Sequence, residues 1–224
     1  MLRPTLSFGV LLSAAIAAST PLPAAAQTKG KTEAKAKGKT EAKAKVDTKK
    51  VAADLASVLA PEGPLVALRR AKDEGLVKFV GVTGHEDPQV MKAAIESDAF
   101  DSVLIPLNPV DLHWASFVDG TLPTAVAKGI ARVGMKVFAS GRLVRTAGGK
   151  AKGLSAEDCL RFAYGLDVSS AIVGCSTIAE VDEAVRVAAE AKPLDASARA
   201  ALIADAKRFT GNSGAGVEWY KRPA

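Results

Sequence analysis

Between Val51 and Phe209 the chain alternates two hydrophobic rhythms. Apolar residues three and four apart mark amphipathic helices, and short compact apolar runs between turn residues mark strands buried on both faces. The first rhythm predicts helices at Ala53–Leu59, ended by Pro61 and Gly63, and at Leu65–Glu74, with Arg69, Arg70, Lys72 and Asp73 on the wet side and Gly75 at the stop. It predicts a third at Pro88–Ser97, with Asp87 placed to accept from its first amides. A fourth covers Ser116–Lys128, where Pro123 is tolerated only near a break or a first turn. Ser155–Tyr164 starts with a serine cap and Asp158 three residues on, a weak capping box. Thr177–Ala191 and Ala196–Phe209 complete the helices. The second rhythm predicts strands at Val77–Val82, Ser102–Pro106, Gly129–Met135 and Ser169–Val173.

A strand followed by a helix, four times over, is the pattern of a parallel sheet with right-handed crossovers. Four such units form either a small open α/β sheet or half of a closed (β/α)₈ barrel, and periodicity alone does not choose.

The N-terminal residues do not share this rhythm. Met1–Ala26 carries a lone Arg3, an apolar run from Leu6 to Ala18, then Pro21, Pro23 and the small residues Ala24-Ala25-Ala26 before Gln27. That is the layout of a secretory signal peptide and predicts an exported protein, periplasmic or extracellular. The run is short for a membrane span, which takes roughly 20 residues, although an uncleaved anchor is the alternative. A single arginine gives no twin-arginine signal. The expected division is residues 1–26 as signal peptide, 27–50 as a Lys-rich disordered linker and 51–224 as a partial α/β domain.

Charge sharpens that division. The linker repeats KGKTEAKA at Lys29–Ala36 and Lys37–Ala44, and Thr28–Lys50 holds nine lysines against three acids. Its excess of six equals the formal net charge of the whole chain, +6. The domain is therefore close to neutral, and its composition gives no argument for specific nucleic-acid binding. Without large apolar residues the repeat cannot offset its ordering entropy. It is a solvated tether, or a weak electrostatic contact for anionic surfaces. Two cysteines, Cys159 and Cys175, and two isolated histidines, His85 and His113, lack metal-ligand spacing. Both thiols are expected to be buried.

Four segments carry a family resemblance. Glu74-Gly75-Leu76-Val77-Lys78-Phe79-Val80-Gly81-Val82-Thr83-Gly84-His85 resembles the fifth-strand segment of aldo/keto reductases, in particular a bacterial branch with TGH after that strand. Asp101–Asn108 is similar to the family's sixth strand and Lys128–Gly141 to its seventh. Ala171–Ser176, followed by Glu180-Val181-Asp182-Glu183, is similar to the eighth strand and the helix that closes the nucleotide site. The resemblance runs in order over Leu65–Leu194 and implies the C-terminal half of a (β/α)₈ barrel. It also implies an NADPH-dependent carbonyl reductase fold. The family's catalytic Asp, Tyr, Lys and His sit at the ends of the first four strands, which have no counterpart here, so no catalytic residue is assigned. Neither Tyr164, in a helix, nor Tyr220, in the tail, fits the acid role by position.

The resemblance implies cofactor contacts at Thr83, Gly84, Met135, Lys136, Gly141, Arg142, Gly174, Ser176, Glu180 and Glu183. Several depart from the family's pattern. Thr83 keeps a hydroxyl, Gly84 replaces Asn, Leu104 replaces Gln, and Met135 stands where an aromatic often stacks on the nicotinamide ring. Ser176 replaces the Arg that grips the 2′-phosphate, and Ala184 replaces the Asn that reads adenine. Phosphate recognition favours Lys or Arg, and Lys136 and Arg142 are the nearest candidates. The loop with Gly141, Arg142, Arg145, Gly148, Gly149, Lys150, Lys152 and Gly153 is either a clasp over a pyrophosphate or an ordinary solvated loop. His85, His113 and Trp114 are substrate-pocket candidates; for His85 a loop-ordering hydrogen bond competes, and Trp114 is a pocket wall or a core cap. Asp101 and Asp111 are expected in turns and caps, and Trp219-Tyr220 against the outer helices.

Half a barrel leaves two parallel edges open to pairing. Self-association, a separate chain that supplies the missing half, or partial cover by the chain's own N-terminal segments would each answer that. Two functions follow: an NADP-dependent oxidoreductase completed by a partner, or a non-catalytic exported binding module with a residual anion site.

Overall fold

Four parallel strands, β2 (Phe79–Thr83), β3 (Ser102–Pro106), β4 (Ala131–Met135) and β5 (Ser170–Ala171), lie side by side in chain order in the computed structural model. The structure describes residues 9–13, 48–144, 153–190, 192–211 and 216–221. The linker repeat, the Ala24–Ala26 pattern and the loop residues Arg145, Gly148, Gly149, Lys150 and Lys152 lie outside them.

The register aligns Thr83 with Leu104, Pro106 with Met135 and Gly134 with Ala171. The helices are α1 (Thr48–Leu59), α2 (Pro64–Asp73), α3 (Pro88–Glu96), α4 (Phe117–Gly120), α5 (Leu122–Ala127), α6 (Ala156–Tyr164), α7 (Ile178–Glu190) and α8 (Ala196–Ala206). The fold is the expected α/β arrangement of four parallel strands with flanking helices, a partial (β/α)₈ barrel. No helix among the described residues is long and apolar enough to cross a membrane.

Local chemistry sets the boundaries. Asp87 caps α3 by accepting from the Gln89 amide, and Ser155 caps α6 through the Asp158 amide. The predicted helix Ser116–Lys128 is two helices, α4 and α5, interrupted at Thr121 because Pro123 can donate no backbone hydrogen bond. Gly129, at φ +66°, turns the chain out of α5, so β4 begins two residues later than predicted. The fourth strand, predicted as Ser169–Val173, shrinks to Ser170–Ala171. It has one neighbour, and the Ser169 and Ile172 amides, each 2.7 Å from a β4 carbonyl (Arg132 and Gly134), extend the pairing by one residue on either side. The end of the last predicted helix tightens into a 3₁₀ turn at Lys207–Phe209.

A fifth strand was not expected. Gly9–Ser13, β1, lies antiparallel along β2, pairing Gly9 with Thr83 through to Ser13 with Phe79. The apolar run read as a signal-peptide core thus also matches an open strand edge. At the opposite end of the sheet β5 is the terminal strand, and Ile172 after it and Ile178, Val181 and Val185 of α7 are exposed.

Two apolar clusters form the interior. One joins β2 and β3 to α1–α5 around Val82, Met91, Ile105, Leu107 and Phe117; the other joins α6, α7 and α8 to the loop after β4 around Leu143, Cys159, Leu160 and Phe162.

Candidate functional site

Because the strands are parallel and in register, the residues that follow them emerge on one side of the sheet. His85 follows β2, Asn108 follows β3, Lys136 follows β4, and Gly174–Ser176 follow β5. Between the last two loops is a cleft of about 390 Å³ whose walls include Met135, Lys136, Ser140, Gly141, Gly174 and Ser176. It lies within the size range of small-molecule sites, about 300–1,000 Å³. Five of the predicted cofactor residues meet there: Met135, Lys136, Gly141, Gly174 and Ser176.

The loop after β4 is held in a costly conformation. Lys136, Ala139 and Ser140 have φ of 53°, 44° and 60°, followed by Gly141 at 81°. Each non-glycine residue there costs on the order of 1–3 kcal/mol, so the surroundings must enforce it. Buried Ala139 and Leu143 anchor the loop, and the Ala139 amide donates to the Lys136 carbonyl at 2.7 Å. The half-buried Lys136 ammonium is pushed below its ordinary pKa by burial, against the pull of Glu86 and Glu218.

Across the cleft, α7 caps itself. Thr177 Oγ1 accepts from the Glu180 amide at 3.2 Å, and the Glu180 carboxylate accepts from the Ser176 and Thr177 amides. This reciprocal capping box puts a carboxylate where a bound phosphate would otherwise meet the helix start. Cations for an anionic ligand therefore come from the Lys136–Arg142 side. Glu183 lies about one turn further along α7.

The remaining predicted residues serve other contacts. The Thr83 hydroxyl donates to the Leu104 carbonyl at 3.1 Å, tying β2 to β3. At Gly84 a Cβ would strike the buried Met91 thioether. His113 Nε2 lies 2.7 Å from the Ile203 carbonyl and so links its loop to α8. The Trp114 carbonyl accepts from Lys221 at 2.9 Å.

The C-terminal tail holds the centre of this face. Glu218, Tyr220 and Lys221 are buried, and Tyr220 packs against His85, Asn108 and Lys136 at the strand ends, where packing against the outer helices was expected. Lys221 Nζ is 2.6 Å from Asp111 Oδ1 and 2.8 Å from Glu218 Oε2. Glu218 Oε1 accepts from Asn108 Nδ2 and the Tyr220 hydroxyl, both at 3.0 Å. Asn108 Oδ1 accepts from the Val110 and Asp111 amides, and Asp111 accepts from the Phe117 and Val118 amides and the Ser116 hydroxyl. Asp111 is thus the expected cap and also a buried counter-ion. Two carboxylates share one lysine. Burial pushes Asp111 up against the pull of Lys221, and burial pushes Glu218 up as well, with Asp111 adding to the rise. Tyr220 packs its ring edge-on to His85, centroids 5.5 Å apart, and takes the Lys136 ammonium on its face at 3.8 Å.

Two thiols have different surroundings. Cys159 is buried and burial pushes its pKa up to about 12, whereas Cys175 is exposed at the cleft wall, correcting the expectation that both are buried. One thiol per folded chain should therefore react with iodoacetamide, mapped by mass spectrometry to Cys175. Equal labelling of Cys159 without denaturant would contradict this packing. Among the described residues no group of His, Cys, Asp and Glu could hold a metal ion.

No family model matches the chain, and no curated protein matches it. Among solved structures it is similar to the holo form of aldo-keto reductase AKR11C1 from Bacillus halodurans, at 20% identity and a TM-score of 0.53 over 66% of this chain. The apo form of the same protein aligns at 21% identity and a TM-score of 0.49 over 65% of this chain. The chain spans 56% of the holo structure's length and 58% of the apo structure's. The likeness is one of fold, the aldo-keto reductase type of partial barrel.

Proposed function

We propose that this chain is a nucleotide-binding partial barrel of aldo/keto reductase ancestry, with NADP as the ligand its cleft suits best. The observation that carries this reading is the cleft itself. A strained loop places Lys136, Ser140 and Gly141 on the strand-end face, opposite Gly174 and Ser176, with Arg142 next along the chain. Strain of this kind is retained where geometry serves a ligand. The cofactor would supply hydride for carbonyl reduction, and the protein would supply position and charge.

The residues at hand do not complete that reaction. The family's catalytic residue types do gather here as Tyr220, Lys221, Asp111 and His85, but Tyr220, Lys221 and Asp111 are buried. Tyr220 is buried, its hydroxyl donates to Glu218, and burial, with Glu218 beside it, pushes its pKa far up. A hydroxyl so placed is committed to Glu218 and is not offered to a carbonyl in the cleft. Reduction then requires residues from another chain, either a second copy or a separate chain supplying the other half barrel. The exposed Ile172, Ile178, Val181 and Val185 are where such a partner would seat.

The sealed tail also favours a second reading, a non-catalytic exported binding module with a residual anion site. Export through residues 1–26 is part of that reading, and their removal would bare the edge of β2. Both readings share the cleft. Lys136→Ala should weaken NADPH binding by about ten- to a hundredfold, the roughly 1.5–3 kcal/mol scale of a hydrogen bond to a charged group. A fluorescence titration of NADPH checks it, and unchanged affinity removes Lys136 from the site.

A further inference from the structure

Trp219 stands apart from the rest of the tail. Its neighbours Glu218 and Tyr220 are buried, yet Trp219 is 50% exposed. Two cations lie near that ring, with Lys136 seated closer over Tyr220, 3.8 Å from its centroid. Lys136 Nζ lies 6.0 Å from the Trp219 centroid and Arg142 Cζ lies 5.9 Å away. Lys136 lines the cleft, and Arg142 directly follows Gly141, another wall residue. The indole therefore sits at the cleft's cationic rim. The buried Lys221–Glu218–Asp111 network and the edge contact with Tyr220, centroids 6.1 Å apart, fix the backbone and one side of the ring. A flat apolar surface flanked by two positive charges matches a ligand that joins a planar base to phosphate. Base stacking on an aromatic side chain and charge-assisted contacts to phosphate are independent contributions to such recognition.

We propose that Trp219 is the stacking platform for the aromatic base of a nucleotide whose phosphates lie between Lys136 and Arg142. The inference rests on the nucleotide reading of the cleft and adds to it a residue of the tail. It also answers a gap in the strand ends, because Met135 offers no aromatic face there.

The test titrates two probes, NADPH and inorganic pyrophosphate, into the full chain and its Trp219→Leu and Trp219→Phe variants, with circular dichroism as the folding control. The platform predicts that Trp219→Leu weakens NADPH roughly tenfold, the scale of one base–aromatic stack. Pyrophosphate affinity should stay unchanged, and Trp219→Phe should fall between the parent and Trp219→Leu. In a Trp114→Phe background, NADPH should quench the remaining Trp219 emission. If NADPH binds the parent and both variants equally, the platform is wrong and the cleft reading stands. A Trp219→Leu variant that loses both probes equally also overturns it, because Trp219 then acts through the tail's docking. If the folded parent binds neither probe, the cleft reading fails and the platform falls with it.

Discussion

Replacing Lys221 by Met should destabilise the protein by on the order of 3–5 kcal/mol, the cost of leaving a buried charge without its partner. Lys221 is 2% exposed and balances two buried carboxylates, Asp111 and Glu218, at 2.6 and 2.8 Å. Its ammonium also donates to the Trp114 carbonyl. Removing it leaves two buried carboxylates without their shared cation. Urea unfolding of the parent and the variant measures the loss. The double variant Lys221→Met/Glu218→Gln should recover part of it, because one of the stranded charges is gone. A single variant within 1 kcal/mol of the parent would mean that the tail does not hold this position.

The sign of the pH dependence follows from the same cluster. Both carboxyls have folded-state pKa values raised above their ordinary ones. Their proton-linked stability is therefore fully present below the ordinary carboxylate range and is lost as pH rises through the raised values. The deficit of Lys221→Met should accordingly narrow as the buffer is made acidic.

The second large effect is expected at Phe117. Its side chain is fully buried between the first core cluster and the tail, with Lys221 Nζ 5.7 Å from its ring centroid. Phe117→Ala should cost about 3–5 kcal/mol through lost burial and the cavity left behind. The site has little freedom to collapse, since the Phe117 amide is bound to Asp111 and the next residue's amide is bound as well. Urea unfolding reads the loss, and a shift below 1 kcal/mol would show that the helix is not packed as described.

The sheet and most helices were legible because they rest on local chemistry. β2 and β3 are compact, largely apolar runs, and Asp87 and Ser155 announce the helices they cap. The gathering of Met135, Lys136, Gly141, Gly174 and Ser176 followed from placing the strand ends together. What the sequence hid was long-range. The partners of Glu218 and Lys221, Asn108 and Asp111, lie 110 residues away, and nothing local in Glu218-Trp219-Tyr220-Lys221 signals burial. An apolar run such as Gly9–Ser13 fits a leader as well as an edge strand, because both require only apolar residues. The break at Thr121 was signalled by Pro123 but not resolved into two helices. Cys175 follows a strand, which suggested burial. A strand of two residues at the end of the sheet leaves it in solvent instead.

The central claim, a nucleotide cleft without its own reductase chemistry, is tested most directly by following NADPH fluorescence over time in the presence of the purified chain and an aldehyde. A saturable change on binding and then a constant signal is the expected result. A steady loss of NADPH emission that depends on the aldehyde would contradict the sealed tail, and no change on mixing with the folded protein would contradict the cleft.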